Sequence, residues 1–200
     1  MDLAIRLANA NGVIGRDCAR LRAKRCPNES PNKKRSATRK SVAMDIPKLS
    51  PDIQFELMPK TDDTFQFSLD AKRAALGPYI VERWGWDDTF QRGVHRARFG
   101  EKSFFKVLYE GRPIGTVSVM RAADHIRFGE FYLFPGWQGR GLGTRILRHC
   151  LSLADQIGLA VRLEYLKWNP VGSLYRRHGF RVIGETETHW LMERSPKTVG

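Results

Sequence analysis

The residues whose types and spacing offer chemistry gather in one stretch, Pro135-Gly136-Trp137-Gln138-Gly139-Arg140-Gly141-Leu142-Gly143-Thr144. Glycines let a main chain approach a ligand closely, and the first N–H groups of a helix starting here have no partner within that helix. With the positive end of the helix dipole behind them, these donors suit a phosphate. The stretch is not a Walker-type loop, since no Gly-Lys-Ser/Thr follows. It also departs from the dinucleotide spacing G-x-G-x-x-G, because the third glycine is Gly143 rather than residue 144. ATP and NAD are therefore disfavoured. A loop that only turns a corner would carry the same glycines, so the ligand reading needs support from its surroundings. Cys18, Cys26 and Cys150 are scattered, without CxxC or HxxxH company, so neither a metal site nor a disulfide framework is expected.

The elements that must position this turn alternate short strands with helices. Alternation over 53–58 predicts a strand. Apolar positions Leu69, Ala71, Leu76, Ile80, Val81 and Trp84 predict a helix over 68–84, interrupted near Gly77-Pro78. A second helix is expected over 87–99, with Asp87 and Asp88 near its positive end. Strands follow at 103–109, 113–122 and 125–134, joined by hairpin turns at 110–112 and 123–124 and so antiparallel. Leu142, Ile146, Leu147, Cys150, Leu153, Ala154 and Ile157 mark a long helix over 141–157. A buried strand at 160–166, a short helix at 172–178 and closing strands at 181–185 and 188–194 complete an α/β or α+β domain, a mixed sheet with helices on its faces.

On these residues the sequence resembles a known family. Gln138-Gly139-Arg140-Gly141-Leu142-Gly143 is similar to the Gln/Arg-x-x-Gly-x-Gly/Ala signature of the GNAT superfamily of N-acetyltransferases. Leu133-Phe134-Pro135 matches the hydrophobic-x-Pro strand end that precedes the signature there. Asn169-Pro170 and Tyr175-Arg176-Arg177-His178-Gly179-Phe180 resemble the family's second landmark, an Asn followed by Tyr-x-x-x-Gly-Phe. The resemblance covers about residues 53–194. It implies a strongly bent mixed sheet of about six to seven strands, splayed between the fourth and fifth, here 125–134 and 160–166. It also implies acetyl-coenzyme A as cosubstrate, with no metal, and direct transfer of acetyl to an amine through a ternary complex.

Residue by residue, the resemblance assigns main-chain contacts with pantetheine to Leu133 and Phe134. Gln138, Gly139, Arg140, Gly141, Leu142, Gly143 and Thr144 fall to the pyrophosphate, with Arg145 as a further charge. Asn169 falls near the opened strand, and Tyr175 becomes the acid that protonates the leaving sulfur. Tyr175 is otherwise a packed aromatic, and Asn169 otherwise an ordinary turn residue. For the base, Glu130 stands on the strand before the signature, where a carboxylate beside an apolar cleft would have a raised pKa. Glu164, His189 or a water relay are the alternatives, and an outward-facing Glu130 is the bland one. For acceptor recognition, Trp84 and Trp86 with acidic neighbours could wall a cationic or aromatic amine, His189 facing them from the last strand. Both tryptophans would otherwise anchor the helical layer.

Charge divides the chain. Residues 1–44 hold 11 Lys/Arg against 3 Asp/Glu and no aromatic, whereas all 21 aromatics lie from Phe55 to Trp190. We expect a basic, disordered extension over 1–44 and a single N-acetyltransferase domain over 45–200. The extension reads as an arm for nucleic acid, as a targeting segment, or as sequence outside the native product, with Met44 as an alternative start; the last is preferred. The domain's remaining net charge of +5, from 23 Lys/Arg against 18 Asp/Glu, gives little reason for nucleic acid to bind there. No apolar run is long enough for a membrane span, and a cytoplasmic protein, monomer or homodimer, is expected. The leading function is acetyl transfer to a primary amine of a small molecule or peptide. A noncatalytic acyl-coenzyme A binding module and a nucleic-acid-associated protein stand as alternatives.

Overall fold

A computed structural model describes residues 41–197. The elements in order are β1 (Val42–Ala43), β2 (Ile53–Leu57), α1 (Asp62–Trp84), α2 (Asp88–Glu101), β3 (Phe105–Tyr109), β4 (Arg112–Arg121) and β5 (His125–Leu133). A 3-10 turn (Pro135–Trp137) leads to α3 (Leu142–Gln156), then β6 (Ala160–Leu166), α4 (Gly172–Arg177), β7 (Arg181–Glu185) and β8 (His189–Arg194). They form an eight-stranded mixed sheet in the order β2-β3-β4-β5-β6-β8-β7, with β1 on β4. Every pairing is antiparallel except β5 with β6, whose crossover is α3. The α/β fold expected from the sequence is the fold observed.

Two elements differ from expectation for local reasons. Helix α1 starts earlier, because Thr61 caps it: its hydroxyl accepts from the Thr64 N–H, and the Thr64 hydroxyl accepts from the Thr61 N–H. It also runs unbroken through Pro78. The residue before the proline is Gly77, which has no Cβ to meet the pyrrolidine ring. Strand β1 lies inside the segment assigned to the extension. Val42 and Ala43 pair with Arg121 and Met120, and the Met44 N–H donates to the Val119 carbonyl at 3.1 Å. The sheet therefore includes residues ahead of Met44, while the expectations for residues 1–40 lie outside the described residues.

Two apolar clusters hold the domain. The larger joins Ile146, Leu147, Cys150 and Ala154 of α3 to Val107, Val117, Ile126, Val161 and Met192 of the sheet. The smaller packs Phe65 and Leu69 of α1 and Phe99 of α2 on Met58 and Phe104. His95 is sealed among Phe65, Phe99 and Phe104, its Nε2 2.7 Å from the Ser68 hydroxyl and its Nδ1 without a hydrogen-bond partner among the described residues. Burial pushes the His95 ring down to about 4. The folded ring thus resists protonation, and its stabilising effect, complete above the unfolded value near 6.5, is lost as pH falls toward 4. The expected cost is on the order of 2–3 kcal/mol. Urea midpoints should fall from about pH 6.5 to about pH 4, and the His95→Phe variant should show a shallower fall; equal slopes would assign the acid sensitivity elsewhere.

Candidate functional site

The β5–β6 ladder is short. It holds from His125↔Ala160 to Arg127↔Arg162, and the strands then part, leaving the facing edges of both without strand partners on that side among the described residues. The divergence coincides with a bulge in β5. Thr116 pairs with Tyr132 and Ser118 with Gly129, so Glu130 and Phe131 together oppose Val117. Glu130 takes φ +46, a conformation that L residues rarely adopt, and the buried Thr116 hydroxyl donates to its carbonyl at 2.9 Å. A cleft of about 1000 Å³ fills the opening. Along its walls lie Leu133, Gln138, Gly139, Gly143, Glu164 and Tyr175.

At one end of the cleft is the start of α3. Gly139 and Gly141 have φ of +72 and +77, and a Cβ at either would meet nothing within 4 Å, so conformation rather than space requires glycine there. Gly141 caps α3 with no side-chain hydrogen bond, which leaves the first-turn N–H groups to a ligand. The Gln138 amide reaches back to the Leu133 carbonyl at 2.7 Å and ties the turn to the end of β5. This main-chain cradle fits a pyrophosphate, and the unpaired edge of β5 beside it fits the amides of a pantetheine arm.

At the other end is a buried polar chamber. Glu130 Oε1 receives Lys102 Nζ at 2.6 Å and Arg98 at 3.2 Å, while Oε2 accepts from the Tyr132 hydroxyl at 3.0 Å. Burial alone would raise the Glu130 pKa, but Lys102 and Arg98 reverse this and hold the carboxyl well below the usual range. The raised pKa expected from the sequence is thereby corrected: Glu130 is an ion-pair anchor whose oxygens are occupied, a poor base. Arg98 continues to Glu164 at 3.3 Å. The Glu164 Oε2 has no hydrogen-bond partner among the described residues, and its side chain is 22% exposed along the cleft. His189, on the same wall, is bonded through Nδ1 to the Thr188 hydroxyl at 2.8 Å, and burial lowers its pKa to about 4.

Tyr175 projects from α4 with its ring 5.6 Å from Tyr165 and 5.8 Å from Phe180. Burial, then Tyr165, raises its pKa, so the phenol is protonated at neutral pH. Gly172 makes this packing feasible, since a Cβ there would stand 2.3 Å from the Tyr165 hydroxyl. Asn169 shapes the approach to α4, its Oδ1 accepting from the Val171 N–H at 2.9 Å.

The pattern of the acetyltransferase (GNAT) domain matches residues 100–182, which span β3 through the start of β7 and contain the bulge, the cradle and Tyr175. Residues 100–182 thus carry a match to a GNAT acetyltransferase domain. The chain's fold is shared by solved structures at low identity. The PaiA N-acetyltransferase of Thermoplasma acidophilum, in complex with coenzyme A, is 16% identical over 71% of this chain and 99% of its own, with a TM-score of 0.57. The ribosomal-protein-S18-alanine N-acetyltransferase of Escherichia coli is 17% identical over 74% and 96%, at 0.53. An acetyltransferase of Thermus thermophilus is 16% identical over 71% and 97%, at 0.53. No curated protein matches the sequence.

Within the domain, the residues named from the sequence divide. Trp84, Leu133, Gln138, Gly139, Gly143, Asn169, Tyr175 and His189 all line the cleft. Leu142 buries its side chain in the main core and Thr144 follows in the first turn of α3. Arg140 lies over the Trp137 ring at 5.3 Å. Phe134 does not serve as a free clamp: its N–H donates to Ile114, its carbonyl accepts from Trp137, and its ring packs on Phe67. Arg145 is engaged by both oxygens of Asp52, at 3.0 and 3.1 Å, whose pKa that hydrogen bonding lowers to about 2.

Trp86 is also corrected. It lies outside the cleft lining, bonded to Asp88 at 3.3 Å beneath Arg73. The acidic neighbours are occupied as well, Asp87 by the cap of α2 and Asp88 by Arg73 and Arg92, so no cationic cage forms. What the sequence did not single out is the cationic stripe itself. Gln91, His95, Arg98 and Lys102 recur at i, i+4, i+7 and i+11, one face of α2, which is the signal that could have found it. Among the described residues no group of His, Cys, Asp or Glu suits a metal, and no helix is long and apolar enough to cross a membrane.

Proposed function

We propose that this GNAT domain transfers an acyl group, acetyl in the simplest case, from acyl-coenzyme A directly to a primary amine of a small molecule or peptide. The observation that carries this is the splay of β5 from β6, which opens one cleft onto both the α3 cradle and the Tyr175 phenol. Gly139 and the first N–H groups of α3 hold the pyrophosphate, and the Leu133 region of β5 holds pantetheine. The acceptor nitrogen forms its bond to the thioester carbon as the carbon–sulfur bond breaks. Glu164 takes the amine proton directly or through water, and Tyr175 gives its phenolic proton to the departing thiolate.

Thiol release from acetyl-coenzyme A, scanned over amino acids, polyamines, aryl amines and peptide N-termini, tests the reading. Acceptor-dependent release is expected. Saturable coenzyme A binding with silence across the panel would favour a noncatalytic acyl-coenzyme A module. Tyr175→Phe should lower turnover by about 100-fold while coenzyme A affinity is retained. Unaltered turnover would remove Tyr175 as the acid.

A further inference from the structure

Lys72 is the cation of the polar chamber that forms no ion pair among the described residues, although Glu130 is near enough to act on it. It stands on α1, is 3% exposed, and gives one hydrogen bond, to the Gln91 side-chain oxygen at 2.9 Å. Among the described residues no Asp or Glu oxygen pairs with it as one pairs with Arg98 and Lys102. An ammonium has three N–H donors, so two remain without a partner among the described residues, beside the cleft that Lys72 lines.

Among the described residues, the chamber's charge is unbalanced in the same sense: Lys72, Arg98 and Lys102 face Glu130 and Glu164, three cations against two anions, which leaves +1. Burial, followed by Arg98 repulsion, lowers the Lys72 pKa to about 8, which leaves the ammonium charged at neutral pH. His95 and His189, both lowered to about 4, add nothing. A buried net charge is costly until a counter-charge arrives, and a single positive charge matches one carboxylate rather than a doubly charged phosphate. Beside the ammonium, Ala75, Leu76, Tyr79 and Ile80 follow Lys72 at i+3, i+4, i+7 and i+8 and line the same cleft, an apolar strip along one helix face.

We infer that the acceptor is an amine that also carries a carboxylate on an apolar body, an apolar or aromatic α-amino acid by class, and that Lys72 holds that carboxylate. This rests on the N-acyltransferase reading. Lys72 binds the acceptor, with its ammonium turned to the carboxylate and the strip from Ala75 to Ile80 covering the side chain.

The test compares L-phenylalanine, L-phenylalaninamide and phenethylamine as acceptors with acetyl-coenzyme A, in the native protein and in Lys72→Met. The amide's amine is the less basic and therefore the more available as a free nucleophile, so preference for the acid runs against intrinsic reactivity. The native protein should favour the acid at least about tenfold in kcat/KM, the scale of a buried charge-assisted contact. In Lys72→Met that ratio should fall to within about threefold, with a higher thermal midpoint because an unpaired buried charge is gone. Equal use of acid and amide by the native protein, or a preference that survives in the variant, overturns the inference. Coenzyme A titration by calorimetry separates the two levels. Binding without transfer to the acid overturns the acceptor class alone, whereas absence of binding overturns the acyltransferase reading beneath it.

Discussion

Glu130→Gln is expected to cost about 3–5 kcal/mol of stability, because it strips the one carboxylate that Arg98 and Lys102 share and leaves buried positive charge uncompensated. For a domain of this size that corresponds to a thermal midpoint lower by roughly 6–20 °C. The Tyr132 hydroxyl, which donates to Oε2, can turn to the new amide oxygen, so the loss is electrostatic rather than a cavity. The catalytic expectation is separate. A carboxylate already ionised at every working pH cannot produce a rise in rate with pH, so the alkaline-rising limb should keep its shape in the folded variant. Thermal unfolding and a pH–rate profile on the same preparation decide the matter. An unmoved midpoint with a lost limb would return the base to Glu130.

The second large effect comes from the facing strand. A Cβ on Gly115 would lie 2.0 Å from the Tyr132 carbonyl oxygen and 2.9 Å from the Leu133 Cα, both main-chain atoms that cannot rotate away. Gly115→Ala must therefore push β4 from β5 where the bulge ends and the edge proposed for pantetheine begins. We expect a loss of about 3 kcal/mol or more, together with weaker coenzyme A binding. Thermal unfolding and coenzyme A titration would show both. A midpoint within a degree or two of the native value would mean that the strands tolerate separation there, and that the bulge is less rigid than its Thr116 bond suggests.

The sequence disclosed what repeats. Strand β6 and the stripe of α3 were readable because burial imposes periodicity, and the cradle because positive φ selects glycine. Two-residue β1 has no period to read, and the first turns of α1 depend on a Thr61–Thr64 cap that departs from the usual Glu or Gln partner. The state of Glu130 was illegible for another reason. Its pKa follows from two cations 28 and 32 positions away, Lys102 at the C-cap of α2 and Arg98 within it, which only the fold brings within 3.2 Å. Lys72 was not singled out, since no motif or spacing in the sequence marks a lysine that packing buries. Trp86 erred in the opposite direction, a large aromatic beside Trp84 that the turn between α1 and α2 carries away from the cleft.

The two halves of the cleft are made of different material. The cradle at α3 offers main-chain N–H groups, which every residue except proline supplies, whereas the chamber on α1 and α2 is written in side chains. Under the acceptor assignment proposed above, point substitutions on the helices would rewrite which amine is accepted while the main-chain grip on the acyl donor stays as it was. On that assignment, a protein engineer seeking a new acceptor should begin at Lys72 and its apolar strip and leave residues 135–144 alone.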